Sequence, residues 1–272
     1  MSDIHISILM EDQAKMGFLN RKFLAQHGFS VFIEADTNVL FDAGPTDSFM
    51  KNATLLGIDL KKTDCVALSH GHWDHTDGLA ALQLNRLKRT LVAHPDIFSD
   101  RHKATGEYNG TALDQKDLTD SFDVILTREP FSISDKITFL GEIPRVNDFE
   151  AQKTPFSQII AGQSQEDWVM DDTALAIDTA RGLVIVTGCA HAGICNIVEH
   201  AKAVCDEEKV HMVLGGFHLL AGDDQLGKTV DYFSKNPVDR LYPMHCTDLA
   251  ALCTFHSYFG ITKLCAGDTL LL

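Results

Sequence analysis

Three features of this sequence predict an α/β fold. Short apolar runs of strand length alternate with amphipathic stretches of helix length in both halves. No Pro/Gly/Ser-rich linker, low-complexity tract or fixed-period repeat divides the 272 residues, so one domain spanning 1–272 is expected. A histidine cluster falls on a strand-to-helix loop, where open α/β sheets place their sites.

In chain order, Ile4, Ile6 and Ile8 alternate with polar neighbours and predict a half-buried strand. Residues 30–35 and 39–41 predict a strand pair turned at Asp36-Thr37-Asn38. A helix is expected over 46–60, with Phe49, Ala53 and Leu56 on one face, then a buried strand at 65–68 and the start of a helix at 77–82. Residues 91–95 read as a strand stopped by proline. Residues 96–167 mix charge, short apolar runs and Pro130, Pro144 and Pro155, and are expected to be an irregular insertion forming part of a substrate rim. Beyond them, strands are expected at 174–178, 183–187, 210–214, 241–244 and 263–272. Helices are expected at 196–205, 227–233 and 249–259.

Composition narrows the function. A hydrophobic fraction of 45% and a charged fraction of 22% are those of a soluble globular protein, and no apolar run is long enough for a bilayer. The start, Met1-Ser2-Asp3-Ile4-His5, has neither the basic region nor the apolar core of an export signal, so a cytoplasmic location is expected. Seven cysteines in no paired framework then read as reduced thiols. A net charge of −15 argues against nucleic-acid binding, which needs clustered Lys and Arg. The expected partner is a small-molecule substrate, with no nucleic acid and no membrane.

The stretch from Leu68 to Gly78 holds His70, His72, Asp74 and His75, three imidazoles and a carboxylate within six residues. Imidazole nitrogen and carboxylate oxygen together suit zinc, iron or manganese. A bland reading would make them a polar loop capping nearby backbone, which serves for one histidine but poorly for four ligand-type residues at this spacing. Other motifs fail: no phosphate-binding glycine loop with Lys-Ser/Thr is present, and no serine has a nucleophile-elbow context. Asp268, in Gly267-Asp268-Thr269, reads as a turn residue.

At His-x-His-x-Asp-His the chain resembles the metallo-β-lactamase fold superfamily, and Phe41-Asp42-Ala43-Gly44 matches that superfamily's early strand ending in Asp-Gly. Four further segments are similar to one branch: 25–30 (AQHGFS), 141–145 (GEIPR), 187–193 (TGCAHAG) and 215–219 (GGFHL). That branch is named for 7,8-dihydropterin-6-methyl-4-(β-D-ribofuranosyl)aminobenzene-5′-phosphate synthase. The resemblance implies a four-layer αβ/βα sandwich with one or two divalent ions, zinc foremost, in a cleft between two sheets.

It also implies further ligands from the second half. His245 stands in the place of the superfamily's last ligand. Relatives carry a histidine before the strand at 174–178, where this chain has Trp168-Val169-Met170-Asp171-Asp172-Thr173, and a bridging aspartate where it has Cys189. His191 is then the natural substitute ligand, and Cys189 is either a thiolate ligand or a small buried hydrophobe. His218, after Gly215-Gly216, touches substrate or metal or merely packs over a glycine turn. Asp42 is placed to take the free N–H of a ligating imidazole. Asp74 binds a second metal or, with one metal, positions water. Glu142 and Arg145 are candidates for substrate contact.

The activity implied is that of a metal-dependent hydrolase or transferase acting on a small phosphorylated or pterin-like substrate, through metal-activated water or a Lewis-acid metal. In the branch reaction a pterin-methyl diphosphate loses diphosphate to an arylamine. The rivals are a metal-binding sensor without turnover and a diiron redox protein.

Overall fold

The computed structural model describes residues 4–17, 22–82, 89–220 and 224–272. Met1 to Asp3, the start of the stretch read for an export signal, lie outside the described residues. In chain order the strands are β1 (His5–Met10), β2 (Ser30–Glu34), β3 (Asn38–Phe41), β4 (Cys65–Ala67), β5 (Arg89–Ala93), β6 (Arg101–Lys103), β7 (Phe122–Leu126), β8 (Phe131–Ser132), β9 (Ile137–Phe139), β10 (Phe156–Ile160), β11 (Gln163–Glu166), β12 (Ala174–Ile177), β13 (Leu183–Thr187), β14 (Val210–Gly216), β15 (Arg240–Met244) and β16 (Thr269–Leu271). The α-helices are α1 (Ser48–Leu56), α2 (Trp73–Thr76), α3 (Gln115–Ser121), α4 (Ile194–Cys205), α5 (Asp224–Lys235) and α6 (Leu249–Phe259).

The first sheet runs β16-β1-β2-β3-β4-β5-β7, antiparallel as far as β3 and parallel from there to β7. The second runs β15-β14-β13-β12-β9-β8, with β13 to β15 parallel and the remainder antiparallel. Strand periodicity makes each sheet apolar on both faces. In β13, Val184 and Val186 face the space between the sheets while Leu183 and Ile185 face α4; in β4, Cys65 and Ala67 point inward and Val66 toward the α1 side. One cluster, including Ile6, Ile8, Phe41, Leu175 and Leu214, fills the gap between the sheets. A second lies under α1 and a third under α4, α5 and α6. Helix, sheet, sheet and helix are thus stacked as a four-layer sandwich, each fully buried large apolar side chain contributing roughly 1.5–3 kcal/mol.

Three segments differ from expectation, the first being the strand expected at 263–272, which is confined to β16 because Cys265 to Asp268 form a turn. Residues 96–167 are not wholly irregular: β7 closes one edge of the first sheet, β9 and β8 close one edge of the second, and β6, β10 and β11 form a separate three-stranded sheet at the rim. The reason is that β9 is only three residues long, while β7 is a half-exposed edge strand whose residues Phe122-Asp123-Val124-Ile125-Leu126 neither alternate cleanly nor run continuously apolar. The helix expected at 77–82 is a 3-10 turn, Asp77–Ala81, and regular helix begins earlier, at Trp73 inside the histidine loop. By contrast α1 ends as its sequence suggests, with Gly57 at φ 79° returning its N–H to Ala53 and Thr54. No helix among the described residues is long and apolar enough to cross a membrane.

Candidate metal centre

The C-terminal ends of β1, β3 and β4 in one sheet and of β13, β14 and β15 in the other meet at a common rim. Four residues just past these ends, Asp42, Ala190, His218 and His245, have φ of 57°, 60°, 46° and 46°, a left-handed conformation that costs non-glycine residues energy. Glycine is needed where segments touch: a Cβ on Gly188 would lie 2.1 Å from Ser69 Oγ, and one on Gly28 would lie 2.4 Å from the Asp74 carbonyl oxygen.

The loop histidines are oriented by a buried network that starts at Asp42. Ser69 donates its hydroxyl to Asp42 Oδ2 at 2.7 Å and its N–H to Oδ1 at 2.8 Å. With its one proton so used, Ser69 Oγ accepts from His70 Nδ1 at 2.9 Å, which leaves a lone pair on His70 Nε2. His75 Nδ1 donates to Asp42 Oδ2 at 2.7 Å and likewise frees its Nε2. Asp42 therefore orients both imidazoles, His75 directly and His70 through Ser69.

The freed atoms converge in two groups. In the first, His70 Nε2 lies 3.0 Å from His72 Nδ1, and the ring of His191 stands 4.8 and 4.9 Å from theirs, centroid to centroid, with a buried Nε2 that has no hydrogen-bond partner. Burial, helped by the other imidazoles, holds His70 and His191 well below the ordinary range and so neutral. Burial does the same to His72 against the pull of Asp74. In the second group, His245 Nε2 lies 3.2 Å from His75 Nε2 and 3.3 Å from Asp74 Oδ2. Cys189 Sγ is 3.2 Å from His75 Nε2.

Asp12 takes the Nδ1–H of His245 at 2.7 Å, so the second group presents two ring nitrogens and a carboxylate to one point. Those acceptors need a cation. Without a metal a proton serves: burial disfavours charge on His245, but Asp12 and Asp74 outweigh it and raise its pKa well above the ordinary value. Burial likewise opposes charge on Asp74, yet His75 and His245 hold it well below the usual carboxylate range. The first set offers three imidazole nitrogens and the second two nitrogens and a carboxylate oxygen with a thiol at hand, and both fit divalent ions of intermediate softness.

The two groups open onto a cleft of about 260 Å³ bounded by His27, Trp73, Lys103, Asn109, Phe156, Cys246 and the metal-site side chains. His218 is on its wall, its ring 4.4 Å from that of His191, and burial with His245 nearby pushes it down to about 4. Burial raises the Cys189 thiol well above its ordinary value.

Glu142 and Arg145 are not at this cleft. Glu142 pairs with Arg128 at 2.6 Å and His94 at 3.1 Å, while Arg145 spends its guanidinium on the carbonyls of Trp168 and Val169. These contacts correct the expectation of substrate contact and make Arg145 a support for the 168–170 turn. Two residues not named as site candidates do reach the site. His27 Nε2 is 3.4 Å from Asp74 Oδ2, and Asp12 binds His27 Nδ1 at 3.0 Å as well as His245. His27 falls inside the 25–30 segment, but nothing there marks it as facing the loop histidines, and nothing local marks Asp12.

A family model for the metallo-beta-lactamase superfamily matches residues 25–149. An uncharacterised protein of Methanocaldococcus jannaschii is 36% identical over 251 residues, covering 91% of this chain and 92% of its own. The chain belongs to the metallo-β-lactamase superfamily. It is similar also to the 7,8-dihydropterin-6-methyl-4-(beta-D-ribofuranosyl)-aminobenzene-5'-phosphate synthase of the same organism, 32% identical over 275 residues, covering 95% of this chain and 92% of the synthase. Among solved structures, a metal-dependent hydrolase of the beta-lactamase superfamily superposes with a TM-score of 0.85 at 31% identity, covering 98% of both chains. This metallo-β-lactamase superfamily member thus shares the four-layer fold of that hydrolase.

Proposed function

We propose that the chain binds two divalent ions, zinc foremost with iron and manganese as alternatives, and uses them to hydrolyse or transfer a group on a small phosphorylated or pterin-like substrate. The observation that carries the reading is the convergence of acceptor atoms: His70, His72 and His191 around one point, and Asp74, His75 and His245, with Cys189 beside them, around another. Bound ions would supply Lewis acidity and a lowered pKa for water at the cleft floor.

The rest falls to the chain's own groups. Asp42 and Asp12 hold ligand imidazoles in the tautomer that leaves Nε2 free. Asp74, facing the cleft, accepts from or orients the attacking group. Trp73 and Phe156 offer aromatic walls suited to a planar heterocycle, and Lys103 is the one lysine or arginine among the described lining residues of this cleft, placed for an anionic substituent. The 32% identical synthase supports the pterin-like substrate, and the hydrolase structure supports hydrolysis.

The test is metal analysis of protein purified without chelator, followed by phosphoesters, lactones and pterin diphosphates as substrates. Two equivalents of metal and metal-dependent turnover of a phosphorylated or pterin compound are expected. Full metal loading with no turnover across the panel would overturn the substrate class and favour a sensor.

A further inference from the structure

Cys189 and Cys246 follow the ends of β13 and β15, two strands that β14 separates. A missing side chain brings them together. Gly216 ends β14 between them, and a Cβ there would lie 2.5 Å from Cys246 Sγ and 3.1 Å from Cys189 Cα. Cys246 fills that gap: its thiol donates to the Cys189 carbonyl at 3.3 Å, and the two sulfur atoms lie within 4.8 Å of each other. Both side chains line the cleft, whereas Cys65 and Cys195 are packed into apolar cores.

We propose that Cys189 and Cys246 are a reversible thiol–disulfide site in the cleft floor, oxidised by low-molecular-weight disulfides such as oxidised glutathione. A disulfide needs sulfurs about 2.05 Å apart, so the remaining approach is under about 3 Å, and both cysteines lie beyond the paired residues of their strands. One cysteine sulfur, as thiolate, attacks glutathione disulfide and releases one glutathione thiolate. The second cysteine sulfur then attacks the mixed disulfide and releases the other. Two electrons and two protons pass from the cysteines to give two glutathione thiols.

Oxidation would withdraw the Cys189 sulfur, 3.2 Å from His75 Nε2, from the donors around His75. That consequence rests on the metal reading; the bond itself rests on thiol geometry alone.

The test uses the full chain, metal-free and zinc-loaded, incubated with oxidised glutathione, alkylated and mapped by peptide mass. A cross-linked peptide pair holding Cys189 and Cys246 is expected in the metal-free chain, reversed by dithiothreitol and lost in both Cys246→Ser and Cys246→Ala. Exposed Cys253 serves as the control that takes up glutathione singly. In the zinc-loaded chain the cross-link should form at least about tenfold more slowly, because a coordinated thiolate is shielded from attack. Equal rates with the cross-link present uphold the disulfide and count against Cys189 as a metal donor. Glutathione on Cys253 with Cys189 and Cys246 both recovered as free thiols, or each carrying its own glutathione, overturns the proposal.

Discussion

Asp171 accepts the backbone N–H of Gly71 at 2.7 Å, across one hundred residues of sequence. The same carboxylate takes two guanidinium nitrogens of Arg101, at 2.9 and 2.5 Å, and Arg101 begins β6. One buried acid therefore fastens the centre of the histidine loop to the three-stranded rim sheet.

Replacing that acid should be costly. Asp171→Ala leaves the Arg101 guanidinium, 1% exposed, without its main partner, and a broken buried pair costs about 3–5 kcal/mol. Denaturant unfolding should show a loss of that size together with reduced metal content. A loss within about 0.5 kcal/mol, the size of an ordinary surface substitution, would mean the contact does not hold the loop.

His191 carries the argument for the first group of ligands. His191→Ala should lower the metal content by one equivalent, while His245→Ala removes the other, with the far-ultraviolet circular dichroism of each variant unchanged. Plasma emission on both proteins decides. Undiminished stoichiometry in His191→Ala would leave its unpartnered Nε2 unexplained and shift attention to His218.

Asp12 offers a test that leaves every proposed ligand in place. Its carboxylate orients His245, and loss of such an outer partner typically weakens metal binding about 10–100-fold. Competition against a chromogenic chelator should show that loss for one of two ions in Asp12→Ala. Equal weakening of both, or of neither, would contradict the division into two groups.

Asp172 gives a pH dependence with a definite sign. Burial, offset in part by the N–H groups of Ala192 and His191, raises its carboxyl from 3.8 to about 7, and its Oδ1 has no partner. The folded chain thus prefers the protonated acid. The contribution is full below the unfolded pKa of 3.8 and is lost as pH rises through about 7. Stability of the parent minus that of Asp172→Asn should fall between pH 4 and 7 in paired denaturant titrations. A flat difference would show the acid already ionised in the fold.

The part of the site legible in sequence is the part built locally. His70, His72, Asp74 and His75 lie on one short loop and a first helical turn, so spacing alone groups them. His191 and His245 lie far from that loop in sequence and were reached only through the family resemblance. Asp12 and His27 were not legible, because β1 and β2 bring them to the rim only through long-range pairing and the close approach of Gly28 to Asp74. Glu142 and Arg145 misled because charge in a motif suggests substrate, whereas Arg145 binds backbone carbonyls, which no side-chain pattern reveals. The two halves of the sandwich read well because strands buried on both faces are continuously apolar; β7, a half-exposed edge strand, and β9, only three residues long, did not.

The left-handed residues at the strand ends make the rim a place where the polypeptide is held against its own preference. Ala190 has no side-chain function to offer in return, so Ala190→Gly should relax the backbone at φ 60° and raise stability. The same relaxation would let the neighbouring His191 wander. A more robust protein with looser metal is the expected bargain, and selection for thermal tolerance alone would drift toward it, eroding catalysis while the fold improved.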